Sequence, residues 1–202
     1  MGLIRQGLLA LLAFGVAGYA LFVYGTMPIG ALVHPSMRLT FAAHATAVYI
    51  HAFASSIALI IGPLQFSGRI RRRWPQVHRW MGRIYLGVGI LAGGVSALYI
   101  AQFAYGGLPS RLGFSSLALL WLYTGYHAYS AIRAGNIKQH RTWMLRNVCL
   151  TYAAVTLRIY LPVSLVAQLN FDVTYPAISW LCWVPNALFA EWYVRRSKNV
   201  AV

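Results

Sequence analysis

The segment 41-FAAHATAVYIHAFASSIALIIGPLQF-66 is one of several apolar runs in this chain long enough to decide its fold class by themselves. Roughly 18 to 20 predominantly apolar residues let a helix cross ~30 Å of hydrocarbon, where each backbone N–H and C=O must find its partner inside the segment. Runs of that kind fall at about 6–26, 41–66, 82–104, 112–133, 144–167 and 175–194. They predict an all-α, polytopic membrane helical bundle of six transmembrane helices, with residues 1–202 as a single domain.

Charge agrees with this and orients the bundle. Only 9% of the 202 residues are charged, where soluble domains run near a quarter. The net charge of +15 does not read as a nucleic-acid surface, because the basic residues cluster between apolar runs instead of covering a polar face. The lipid bilayer is the partner implied, and nucleic acid is not. Arg5 precedes the first span, and the second connection carries Arg69, Arg71, Arg72, Arg73 and Arg79, with Arg83 just inside the next span. Arg133, Lys138, Arg141 and Arg146 mark the fourth connection, and Arg195, Arg196 and Lys198 the tail. The opposite side has Arg38 and Arg111. An excess of cytoplasmic Lys and Arg then places both termini in the cytoplasm and requires an even number of spans. The apolar stretch of the first span exceeds a signal-peptide core and is expected to stay as an anchor. Cys149 and Cys182 lie within spans without metal-type spacing and read as small packing residues.

A repeat runs through the middle of the chain. The segment 78-HRWMGR-83 returns as 140-HRTWMLR-146, and 55-SSIALI-60 returns as 115-SSLALL-120 at nearly the same interval before each histidine. Spans 2–3 and 4–5 are therefore expected to be two helical hairpins related by a pseudo-twofold axis along the membrane normal. Pro75 suits the first turn of a helix and Asn136 an N-cap, so His78 and His140 should each sit about one turn into a helix, at matching depth. A helix N-terminus disfavours imidazolium and keeps both rings neutral. Gly87, Gly89, Gly93 and Gly94 form a face suited to close helix approach.

Depth sorts the remaining polar residues. His78, His140, Arg83, Arg146, His127 and Glu191 belong to the cytoplasmic layer, with Gln65 near the inner end of span 2. His44 and His51, seven residues apart on one helix face, belong to the outer layer with Arg158, and His34 lies in the outer loop. Two neutral imidazoles at equal depth are what a bis-histidine haem b site requires. His78 and His140 meet that condition, whereas His51 and His127 lie at opposite depths. The alternative is that the paired histidines bond carbonyls or lipid phosphates at the interface. Arg158 is costly within hydrocarbon unless partnered. It calls for an anionic or carbonyl-bearing ligand such as a quinone oxygen, a haem propionate or a lipid headgroup, or else for snorkelling or a bond to His51 or Asp172. Glu191 is expected to pair with Arg83 or Arg146.

His51, 62-GPLQF-66, 78-HRWMGRIY-85, 132-IRAGNIKQHRTWMLR-146 and 156-TLRIYLP-162 together resemble a family of bacterial predicted membrane proteins, domain-of-unknown-function family 2306, over about residues 45–165. The resemblance implies a multi-pass protein of the bacterial cytoplasmic (inner) membrane. It emphasises His51, Gln65, His78, His140, Arg146 and Arg158, and it supplies no reaction; His127 lies outside its pattern.

Catalytic classes find little support. The two carboxylates, Asp172 and Glu191, stand at opposite ends of the bundle and cannot complete a Ser-His-Asp set, and neither HExxH nor CxxC occurs. Three classes stay open. The first is a non-catalytic accessory or assembly subunit that meets other membrane subunits. The second is a redox protein binding b-type haem or quinone, with His78 and His140 as candidate haem ligands and His51, Gln65, Arg146 and Arg158 as candidate ligand or anion contacts. The third is a small-molecule or lipid transporter.

Overall fold

A computed structural model describes residues 3–199, with side chains over 6–196. Arg5 and Lys198, counted in the charge asymmetry, fall outside the described side chains. Every regular element among the described residues is helical. In chain order these are α1 (Leu3–Thr26), a short 3-10 turn (Pro35–Met37), α2 (Arg38–Ala43), α3 (Ala45–Gln65), α4 (Gly68–Arg73), α5 (Pro75–Ile84), a π-helical segment (Tyr85–Ala92), α6 (Gly93–Ala101), α7 (Leu108–Arg133), α8 (Ile137–Thr151), α9 (Ala153–Val166), α10 (Phe171–Leu181) and α11 (Val184–Asn199). Among the described residues, four helices are long and apolar enough to cross a membrane: Gln6–Thr26, Ala45–Gln65, the run Pro75–Ala101, and Ile137–Val166. The other two expected spans differ for physical reasons. Helix α7 has the length but dilutes its leucines with Ser, Thr, Gly, His and four tyrosine or tryptophan rings from Trp121 to Tyr129. The last span divides at Cys182–Trp183, next to Pro185, which has no N–H to continue the ladder.

Helix starts follow local chemistry. Pro75 opens α5, and the Asn136 side chain accepts from the backbone N–H of Gln139 at 3.0 Å to open α8. Both helices start before the hydrocarbon would, since an interfacial helix persists in its basic first turns. Their partners form a four-membered ring in which α3 packs on the π segment and α6, α6 on α7, α7 on α8, and α8 back on α3. Helix α1 lies outside α3 and reaches α9, while α10 covers α7 and α9 and α11 covers α8. The α4–α5 and α7–α8 connections share one end of the ring, here termed the basic end. The 3-10 turn, α2 and the α6–α7 and α9–α10 turns share the other, the far end.

Glycine sets the closest approach in the ring. A Cβ on Gly89 would lie 2.9 Å from the Ala58 Cβ and 3.2 Å from its backbone Cα, whereas one on Gly87 would meet nothing within 4 Å. Gly89→Ala is therefore expected to lose about 1–3 kcal/mol to overpacking. Gly87→Ala should instead gain up to ~1 kcal/mol from helix propensity. Thermal midpoints of the two purified variants give the comparison; equal midpoints would refute this account of the α3 contact.

Candidate functional site

Polar side chains occur at three levels of the ring. At its centre, Tyr85 from the π segment and Asn147 from α8 have 0% exposure and are fully hydrogen-bonded. The Tyr85 hydroxyl donates to Asn147 Oδ1 at 2.7 Å and lies 2.9 Å from Thr151 Oγ1. Asn147 Nδ2 donates to the Trp121 carbonyl and to Thr124 Oγ1, both at 2.8 Å, and Trp121 Nε1 donates to Thr151 Oγ1 at 2.9 Å. Three helices are thus joined by groups that would otherwise be buried unsatisfied. Sequence reasoning overlooked this cluster. Its legible signal was Asn147, an amide inside an apolar run, to which the cost argument applied to Arg158 extends.

Above this network, in the far half, the helices leave a partly open cavity of about 280 Å³. Thr151 and Trp121 lie along its floor, His51, Ser55 and Leu59 on the α3 side, Leu157 and Arg158 on α9, and His44, Phe41 and Phe103 toward the far end. His51 Nδ1 stands 3.0 Å from the Gly93 carbonyl, with Ser55 Oγ at 3.3 Å. A carbonyl only accepts, so the proton of the neutral ring is on Nδ1 and Nε2 carries a lone pair. The bonded carbonyl stands just beyond the π segment, where Ser96 Oγ also donates to the Ala92 and Gly93 carbonyls. His44 marks the break between α2 and α3, stacked on Phe103 at 3.8 Å and 3.1 Å from the Tyr99 hydroxyl.

Arg158 is the charged member of this lining. Its Nη1 donates to the Ala154 carbonyl one turn back at 3.3 Å, and its guanidinium lies 6.0 Å from the centre of the Tyr19 ring. Both carboxylates of the chain are engaged elsewhere. Asp172 accepts a short bond from the Tyr105 hydroxyl in the far-end turns, which holds the pKa of that phenol above its ordinary value by favouring the protonated form. Glu191 receives two bonds from Arg146, at 2.5 and 3.0 Å. Of the two partners expected for Arg158, Asp172 is thus taken by Tyr105, and His51, although it faces the same cavity, directs Nδ1 away to Gly93.

The basic end holds the other expected residues. His78 and His140 each occupy the fourth position of their helices and are near enough to interact electrostatically. His140 Nδ1 donates to the Ala128 carbonyl at 2.8 Å, an orienting bond of the kind metal-bound histidines make, and one that also suits an interfacial histidine. His78 Nδ1 and Gln65 Nε2 are buried without a hydrogen-bond partner among the described residues. The Gln65 side-chain oxygen lies 3.6 Å from the position of a Cβ on Gly82, one turn after His78. Arg146 combines its Glu191 pair with a stack on Trp143 at 4.5 Å, and the Trp143 ring also stacks on His127 at 4.7 Å and meets Tyr123 edge-on. Glu191 thus takes Arg146, while Arg83 rests over Trp80 at 4.8 Å. Among the described residues no three or more His, Cys, Asp or Glu side chains gather as a metal cage. Of the expected residues, His51 and Arg158 share the cavity, His78, His140, Gln65 and Arg146 share the basic end, and the central network separates the two sets.

Apolar helices of spanning length, packed around a satisfied polar core, define an integral membrane protein. The family model described as predicted membrane protein (DUF2306) matches residues 48–194, and the chain belongs to that family. The match takes in His51, both His-Arg signatures and the TLRIYLP run. No curated protein and no solved structure matches the chain.

Proposed function

We propose that the protein binds a small amphipathic molecule in the far-half cavity, with an oxygen-bearing head that accepts from Arg158 and an apolar body against the cavity walls. One observation carries this reading: Arg158 lines a partly open, largely apolar cavity while both carboxylates of the chain bond other groups. An uncompensated guanidinium in hydrocarbon costs several kcal/mol at the membrane centre and typically marks a ligand or ion path. Apolar pockets with a few convergent polar groups are the usual form of small-molecule sites. The reading takes six spans, a bacterial inner membrane and both termini in the cytoplasm, so that the cavity opens within the outer leaflet. It also takes spans 2–3 and 4–5 as a pseudo-twofold repeat, with His78 and His140 as its equivalent cytoplasmic positions. It favours the quinone-type alternative over haem ligation, because the unanswered charge lies in the outer cavity and not beside the paired histidines.

The accessory-subunit reading has an observation of its own. Helix α7 turns Tyr123, Tyr126 and Tyr129 outward, an aromatic and partly polar face that a helix of another subunit would cover.

A single purification tests both. The protein is extracted in mild detergent, and its bound small molecules and co-purifying proteins are identified by mass spectrometry. A stoichiometric amphipathic compound, lost from Arg158→Gln, is the expected result. Wild-type protein that yields no such compound, or a variant that retains it in full, would refute the binding reading. A stoichiometric membrane partner would support the accessory reading, and a well-behaved monomer would count against it.

A further inference from the structure

We infer that the headgroup held in this cavity is a hydroxylated aromatic ring, of the quinol or phenol class, in preference to a plain carboxylate or a quinone. The inference rests on the binding reading above and adds the chemistry of the head. It begins with the single proton of a neutral imidazole. His51 Nδ1 spends that proton on the Gly93 carbonyl, with the Ser55 hydroxyl alongside. Nε2 is left as an acceptor, and it has no hydrogen-bond partner among the described residues. His51 is one of the residues that line the cavity. On a ring that lines the cavity, that nitrogen opens to the cavity. A second cation beside Arg158, with no carboxylate to answer either, would be costly, so the ring stays neutral.

The cavity therefore offers two unlike polar groups. Arg158 can only donate, and His51 Nε2 can only accept. A carboxylate satisfies the guanidinium but turns a second lone pair toward Nε2. A quinone carries acceptors alone and leaves the imidazole unanswered. A ring bearing O–H groups answers both, since one oxygen accepts from Arg158 and one hydroxyl donates to His51. The walls suit a flat ring as well: Phe41, Phe103, Phe114, Trp121 and Tyr175 line the same space, and aromatic faces stack or meet edge-on with a bound ring. No electron transfer is implied, because the inference concerns which oxidation state of the head is bound.

The test uses full-length, delipidated protein in detergent, with binding read by tryptophan fluorescence, to which Trp121 contributes from the cavity floor. Three probes with the same tail are titrated: a decyl-substituted benzoquinol kept reduced under argon, the corresponding decyl benzoquinone, and decanoate. The quinol is expected to bind about tenfold more tightly than either competitor, the size of one well-made hydrogen bond. His51→Asn places an amide donor where Nδ1 stood and removes the Nε2 acceptor. It should weaken the quinol by about tenfold, leave quinone and decanoate within about threefold, and erase the preference. Arg158→Gln should weaken all three. Quinone or decanoate binding as tightly as the quinol to wild type would overturn the inference, as would a quinol preference that survives in His51→Asn; the wild-type ranking stands even if the variant fails to fold. In either case, loss of all three probes in Arg158→Gln would still uphold the binding reading. If wild type binds none of the probes, or Arg158→Gln binds all three like wild type, both fall.

Discussion

Asn147→Ala is expected to lower the thermal midpoint of the purified protein by roughly 5–15 °C, from a loss of about 2–4 kcal/mol at 2–4 °C per kcal/mol for a chain of this size. Interhelical hydrogen bonds in membranes average only ~0.6 kcal/mol each, so a single bond would not produce this. Asn147 is different because its amide meets Tyr85, the Trp121 carbonyl and Thr124 at once. Alanine removes those bonds at once, leaving the Tyr85 hydroxyl with Thr151 Oγ1 and the Trp121 carbonyl with Thr124 Oγ1, and a buried network that loses its shared member gives up more than one isolated bond is worth. Tyr85→Phe is the internal comparison. It deletes a hydroxyl that touches Asn147 and Thr151, while the Trp121 and Thr124 contacts of Asn147 persist, so its midpoint should fall by about 2–6 °C. If Tyr85→Phe proves as damaging as Asn147→Ala, the amide is not the hub described here.

The same residues show what sequence reasoning reaches. Helix starts were legible because they depend on chemistry local to a few residues: Pro75 lacks an N–H where none is needed, and Asn136 offers an oxygen where one is. The Arg146–Glu191 pair was legible because a chain with two carboxylates leaves few choices. That His44, His51 and Arg158 belong to one layer followed from depth along their helices. What depth cannot supply is rotation, and rotation decides that His51 turns Nδ1 to Gly93 while its other face meets the cavity. The π-helical segment left no compositional mark. The glycines within it read as a packing face, and Gly89 does meet Ala58, but nothing in their spacing signals a wider helical turn. Tyr85 and Trp121 escaped notice because aromatic residues in an apolar run count as oil until a polar partner is located. Hydropathy alone reads the last span as one helix, although Pro185 stands in the sequence where α10 gives way to α11.

Arg158→Met is expected to move stability and binding in opposite directions. In delipidated protein the substitution removes a guanidinium whose described contacts are one carbonyl and the Tyr19 ring. It replaces that group with a flexible apolar side chain suited to filling an irregular void. Arginine near a helix centre costs about 2.5–3.5 kcal/mol on insertion scales. Arg158 lies past the middle of the Ile137–Val166 run, toward its far end, so a gain of about 1–3 kcal/mol is the appropriate expectation, or roughly 2–12 °C in midpoint. The same variant should lose the stabilisation that ligand gives wild type, which at a hundredfold excess over Kd amounts to about 2.7 kcal/mol. Arg158→Lys separates charge from geometry. The ammonium keeps the cation but not the planar fork, so it should remain about as stable as wild type when empty and bind with intermediate strength. Differential scanning of the three proteins, each with and without a saturating decyl benzoquinol, reads every term. A methionine variant that is less stable than wild type without ligand would mean that the guanidinium holds α9 in place, and the case for a ligand at Arg158 would lose its physical basis. A stable variant that no longer responds to ligand would mean that the fold carries this charge at a cost to its own stability, as functional sites often do.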